Sequence, residues 1–188
     1  MKPRLTRCWN TENPLYIKYH DEEWGVPIHD DKRLFEMLVL EGFQAGLTWE
    51  LILKRREAIK KAFAGFDPKA VAKFTTSDAE NILSNPNVIR NRAKILATIN
   101  NAAKFMEIQN EFGSFDKFIW QFVREKPMAH AFTFMSALPS QTVESCAMSR
   151  ELKNRGFKFV GPTICYAFMQ AVGMVNDHLV SCFRYDQI

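Results

Sequence analysis

The chain has 188 residues, 47% hydrophobic and 24% charged, with 8 Gly and 8 Pro, which excludes a disordered, collagen-like or low-complexity protein and is long enough for a sizeable core. A formal net charge of +4, from 25 basic and 21 acidic residues, permits a nucleic-acid partner without requiring one. No run reaches the roughly 18 apolar residues of a membrane span. The basic start Met1-Lys2-Pro3-Arg4 leads into polar Asn10-Thr11-Glu12-Asn13 rather than a signal-peptide core, so a cytoplasmic protein with no membrane partner is expected.

The segment before residue 31 shows no clear periodicity and reads as irregular. From there Leu34, Leu38 and Glu41 fall on one helical face, widened by Phe35, Met37 and Leu40, with Gly42 as a stop. After Trp49, the set Ile52, Arg56, Ile59 and Phe63 repeats at helical spacing up to Gly65. Asp67-Pro68 reads as a cap followed by the first helical residue, and Ser77 with Glu80 as a capping box. Ile89, Leu96, Ile99, Ala103 and Met106 mark the longest amphipathic helix, ending near Gly113; Ser114 then caps a short aromatic helix through Phe115, Phe118, Ile119 and Phe122. Residues 124–140, with Pro127 and Pro139, read as irregular, and helices over about 142–154 and 162–172 close the core. No β alternation of useful length occurs. The expected fold is all-α, a single compact unit over 1–188 with its helical core over about 30–176.

Four Cys and four His are the scarce residues. His178 and Cys182 have the four-residue spacing of one helical turn, and Cys8 and His20 lie near the other end of the chain. Two Cys and two His make a closed tetrahedral set for structural Zn²⁺, and such a site would tie termini 1–29 and 177–188 together. The alternative is four unrelated residues. His29 and His130 have no partner at ligand spacing and read as solvated or capping, and Cys146 and Cys165 as reduced core thiols.

Glu41 breaks local rules: it lies on the apolar face of its helix, near the end where the macrodipole disfavours a negative charge. Such a carboxylate is paired, serves a ligand, or turns into solvent at the helix end. Trp9, Tyr16, Tyr19 and Trp24 precede it and Trp49 follows it; rings with polar handles plus one carboxylate suit a flat, cationic or amine-bearing ligand. Near the other end, Leu152 to Thr163 joins two helices, with Gly161-Pro162 opening a helix whose free N–H groups can hold an anion amid Lys153, Arg155 and Lys158. That suits a nucleic-acid phosphate, although a tight connection with a solvated basic face reads equally well.

Four runs together are distinctive: Tyr19-His20-Asp21-Glu22-Glu23-Trp24-Gly25-Val26-Pro27, Leu40-Glu41-Gly42-Phe43-Gln44-Ala45-Gly46-Leu47-Thr48-Trp49, Arg155-Gly156-Phe157-Lys158-Phe159-Val160-Gly161-Pro162-Thr163-Ile164-Cys165-Tyr166, and Gly173-Met174-Val175-Asn176-Asp177-His178. In content and order they resemble the DNA-3-methyladenine glycosylase I family, over essentially the whole chain. The resemblance implies a helix–hairpin–helix DNA repair enzyme that removes 3-methyladenine from double-stranded alkylated DNA. It implies one structural zinc on Cys8, His20, His178 and Cys182, a base-contacting Glu41 as the catalytic candidate, and a pocket of Tyr19, Trp24, Trp49 and Trp9, beside which Tyr16 falls. Gln44 to Leu47 would enter the DNA stack with Leu47 as wedge, and Lys158, Gly161 and Thr163 would meet phosphate. The hairpin departs from the superfamily's commoner Gly-x-Gly form, since Gly156 and Gly161 are five apart, and Asp177 beside His178 is a doubtful water-activating group.

The expected chemistry follows from the damaged base. N3-methylation makes the attached adenine cationic and already a good leaving group, so strong general-acid help is unnecessary. With no lysine nucleophile identified, the expectation is a monofunctional glycosylase acting as a monomer on a flipped base, leaving an abasic site. The rivals are a DNA-binding module without activity and a zinc hydrolase, the latter disfavoured because four protein ligands leave no position for water.

Overall fold

The computed structural model describes residues 5–188, so the basic Met1–Arg4 start lies outside the described residues. The first element corrects the sequence reading, since Pro14–Glu22 is a helix, α1, capped by Asn13, whose side chain accepts the Leu15 N–H at 3.0 Å. Its inward side is made of Tyr19 and His20 rather than an aliphatic stripe, so hydrophobic periodicity does not reveal it.

Helix α2, Asp31–Gln44, runs through Gly42 rather than stopping there, and ends before Gly46, where φ is +75°. Thr48 caps α3, Trp49–Ala62, and a 3₁₀ turn at Ala64–Phe66 leads to the short α4, Pro68–Val71, capped by Asp67 as expected. Helix α5, Thr76–Ser84, does begin with a capping box, but its members are Thr75 and Asp78; Glu80 instead pairs with Arg92. Asn91 caps the 21-residue α6, Arg92–Phe112, which ends at Gly113 as expected. Ser114 caps α7, Phe115–Ile119, aided from far along the chain by Asp31, whose carboxylate accepts the N–H groups of Phe115 and Asp116, each at 2.8 Å. The last helices are α8, Val143–Asn154, and α9, Pro162–Ala171. The stretch read as irregular holds β1, Met128–Ala129, which pairs in parallel with β2, Val175–Asn176; two residues are too few for any alternation to show.

Helix α2 packs against α3, α6 and α9, and α8 against α9. Leu34, Phe35, Leu40, Phe105, Phe115 and Phe168 are buried between them, and the rings of Phe105 and Phe115 stack at 4.1 Å. Burying each such side chain contributes about 1.5–3 kcal/mol. Among the described residues no helix is long and apolar enough to cross a membrane.

The N-terminal segment then folds back over the end of α9. The Gly25 N–H donates to Gln170 O and the Ile28 N–H to Val172 O, each at 3.0 Å. Gly173 makes this crossing possible: its φ is +70°, and a Cβ there would sit 2.4 Å from the Pro27 nitrogen. This crossing brings Cys8 and His20 to His178 and Cys182.

Candidate active site

A cleft of about 120 Å³ opens between α1, α2, the start of α3 and α9. Glu41 lines it together with Trp9, Tyr16, Tyr19, Trp24 and Trp49, so all five rings singled out from the sequence surround one carboxylate. Trp9 packs on Tyr16 at 4.9 Å and on Trp24 at 4.8 Å, and Tyr19 lies 5.1 Å from Trp49. Glu41 is only 4% exposed, which rejects the solvated alternative. Desolvation pushes its carboxyl up to about 8, with no charge or hydrogen bond among the described residues offsetting it. Burial first, and then the charge of Glu41, push the Tyr19 phenol up as well. Trp49 Nε1 is buried with no hydrogen-bond partner among the described residues.

Gln44, Ala167 and Gln170 complete the lining. The latter two were not identified from the sequence, where the one available signal was an amide in the otherwise apolar second half of α9. Gln170 Nε2 donates to Asp177 Oδ2 at 2.7 Å, the Tyr166 hydroxyl donates to the same oxygen at 2.5 Å, and His130 Nδ1 meets Asp177 Oδ1 at 2.6 Å. Asp177 is 1% exposed, so its carboxylate is spent on holding these groups together. His130 is therefore not simply solvated; its partner lies 47 residues away. His29 is exposed, as the sequence reading has it, and meets Asp116 at 2.8 Å while its ring stacks on Trp120.

Behind the cleft, Cys8, His20, His178 and Cys182 are all buried, with ligand atoms within 4.8 Å of one another. The spacing of His178 and Cys182 does not reflect a helix: they flank a turn closed by the Cys182 N–H to Leu179 O bond of 2.7 Å. His20 Nδ1 is held by Asp21 Oδ1 at 2.8 Å and His178 Nδ1 by Asn176 Oδ1 at 3.0 Å. Both rings thus direct Nε2 inward, the arrangement by which outer partners orient metal-binding imidazoles. His178 Nε2 is buried and unpartnered among the described residues, and burial lowers this imidazole to about 4, which keeps it neutral. The donor set fits a tetrahedral divalent metal. Cys165 is a buried thiol as expected, whereas Cys146 is half-buried.

Gly25 stands against this centre at φ +81°, and a Cβ there would lie 2.8 Å from His178 Cε1. Gly25→Ala is expected to lower stability by about 2 kcal/mol or more, measured by thermal melting.

The connection between α8 and α9 leaves Lys158 and Thr163 exposed, and Gly161 caps α9 without any side-chain hydrogen bond. The N–H groups of that first turn are therefore open to an anion. Arg155 does not join them: its guanidinium binds Glu111 and Glu151 and lies 5.0 Å from the rings of both Phe112 and Phe118. Phe159 takes a left-handed φ of +53° two residues before Gly161. The Gln44–Leu47 turn is closed by the Leu47 N–H to Gln44 O bond at 2.7 Å and by Gln44 Nε2 to Leu47 O at 3.2 Å, with Leu47 half-buried.

Fold and site together define a helical protein with an aromatic cleft around a buried carboxylate, backed by a Cys₂His₂ cluster. Residues 9–185 match the family model for methyladenine glycosylase, and the chain belongs to that family. It is 48% identical over 182 residues to the DNA-3-methyladenine glycosylase 1 of Escherichia coli (strain K12), covering 96% of this chain and 97% of that one. Its fold is similar to a crystal structure of 3-methyladenine DNA glycosylase I, with TM-score 0.92 and 47% identity over 95% of this chain and 98% of the other. It is also similar to a variant of 3-methyladenine DNA glycosylase I solved in complex with 3-methyladenine, with TM-score 0.91 and 37% identity over 93% and 94% of the two chains.

Proposed function

We propose that this chain hydrolyses the N-glycosidic bond of 3-methyladenine in alkylated duplex DNA, releasing the free base and leaving an abasic site. The observation that carries this reading is Glu41, a carboxyl buried among five rings with no counter-charge among the described residues. A nucleotide whose base bears a positive charge supplies that counter-charge, and neutral adenine does not. The rings of Trp9, Tyr16, Tyr19, Trp24 and Trp49 stack on the base and attract its charge, while Glu41 accepts hydrogen bonds from its polar edge. Selectivity then comes from charge rather than size.

To enter, the base must leave the duplex, and unstacking costs a few kcal/mol. Leu47 and Gln44 fill the vacated space, and the first turn of α9, with Gly161, Thr163 and Lys158, holds a backbone phosphate. Desolvation in the cleft favours departure of the base as a neutral molecule: the glycosidic electron pair leaves with the base, water bonds to the sugar carbon, and its extra proton goes to solvent. Among the described residues no lysine lines the cleft, which supports hydrolysis without strand cleavage. Zn²⁺ on Cys8, His20, His178 and Cys182 serves as a structural tie between the chain ends, since four protein ligands leave no position for substrate. A DNA-binding module without activity gives no account of a desolvated carboxylate inside an aromatic cleft.

The test is titration against intrinsic tryptophan fluorescence, because three of the chain's 4 Trp line the cleft; the probes are 3,9-dimethyladeninium, which keeps the positive charge of the attached base, and neutral 9-methyladenine. The reading expects saturable quenching by the cation and little by the neutral base. Indifference to both bases would contradict it.

A further inference from the structure

Helix α6 carries a buried polar stripe, Lys94, Thr98 and Asn101, along one face. Lys94 stands in the first turn of its own helix, the end at which the macrodipole disfavours a cation. Its ammonium reaches instead to the end of α2, where it donates to Phe43 O at 2.7 Å and to Ala45 O. Those are the carbonyls of a helix C-terminus, which favour a cation, and α2 has no basic residue in its own last turn. The ammonium thus fastens the entrance of the Gln44–Leu47 turn. Two helical turns further along α6, Asn101 clamps the other loop: its Oδ1 accepts the Lys158 N–H at 2.8 Å and its Nδ2 donates to Lys158 O at 2.9 Å. Asn100 adds a bond to Gly156 O at 2.9 Å, and Thr98 Oγ1 donates to Lys94 O at 2.9 Å within the stripe.

We infer that Lys94 and Asn101 are positioning residues that hold the Gln44–Leu47 turn and the Lys158–Thr163 connection at a fixed separation, so that one DNA duplex meets both at once. The inference rests on the glycosylase reading above, which gives those two loops their roles. It concerns their spacing, which is set by about 10 Å of helix between the two anchors. A duplex with a persistence length of about 50 nm cannot bend to suit loops that have drifted apart. A single strand can, and a free base has no need of either anchor.

The experiment compares Lys94→Met and Asn101→Ala with the parent chain on three probes: methylated duplex, the same methylated strand alone, and free 3-methyladenine. Release from duplex should fall about tenfold or more, while release from the single strand and affinity for free base stay within about twofold. Lys94→Arg, which keeps a cation at the α2 carbonyls, should restore duplex activity. The two variants act at opposite ends of the stripe, so one that fails to fold leaves the other to decide. Unchanged duplex release, or equal losses on both DNAs, would overturn the inference. A parent chain that released no base from either DNA would instead overturn the glycosylase reading itself.

Discussion

Glu41→Gln is expected to lower kcat/KM for release of 3-methyladenine from methylated duplex DNA by about a hundredfold, because a cationic base loses its counter-charge in a desolvated cleft. The same substitution should stabilise the protein in a pH-dependent way. The Glu41 carboxyl is raised in the folded state from 4.5 to about 8. Below pH 4.5 folded and unfolded chains both hold the proton, so there is no penalty. Between pH 4.5 and 8 the unfolded chain ionises while the folded chain keeps its proton, so this group makes stability fall as pH rises. Above pH 8 both are ionised and the penalty is constant. Glutamine escapes it, so Glu41→Gln should melt higher than the parent at pH 8, by an amount on the order of a few kcal/mol, with the difference vanishing near pH 4. Activity should show the opposite slope. The parent's kcat/KM should rise toward pH 8, as more of the free enzyme carries the carboxylate, and this rise should be absent in the glutamine variant. A variant with the parent's stability profile and kinetics would remove Glu41 from the site.

Removing the metal is expected to have the larger effect on stability. Chelation exposes a buried cluster that joins residues 8 and 20 to residues 178 and 182, and its loss should cost on the order of 5 kcal/mol, lowering Tm by roughly 10–20 °C. The effect should reach the cleft in weakened form, because the Trp24 ring lies 4.6 Å from that of His178 and the Trp9 ring 4.9 Å from that of His20. At a temperature where the metal-free chain is still folded, affinity for free 3-methyladenine should fall by less than about tenfold. Calorimetry before and after chelation, with re-addition of Zn²⁺, measures both. A metal-free protein of unchanged Tm would contradict a structural tie.

The long amphipathic helices were legible because their apolar faces follow helical spacing, and Glu41 stood out because it interrupts such a face. Helix α1 was not legible, since what it buries is a tyrosine and a histidine, committed to the cleft and the metal cluster rather than to an aliphatic stripe. Both Ser77 with Glu80 and Thr75 with Asp78 satisfy the spacing of a capping box, and only the tertiary position of the helix, which buries Ala79 and Ile82, selects the second. His178 and Cys182 were grouped correctly through a helical spacing that a tight turn also satisfies. Ala167 and Gln170 enter the cleft only because the N-terminal segment folds back over α9, a contact between parts of the chain more than 100 residues apart. Arg155 looked like a phosphate ligand from its neighbours in sequence, but Glu111, on α6, claims it.

The most direct measurement of the central claim is product analysis of methylated duplex DNA incubated with the metal-loaded chain. The account predicts free 3-methyladenine in solution, unmodified adenine retained, and strands that stay intact until alkali breaks them at abasic sites. DNA that is bound but loses no base, or strands cleaved without alkali, would contradict it.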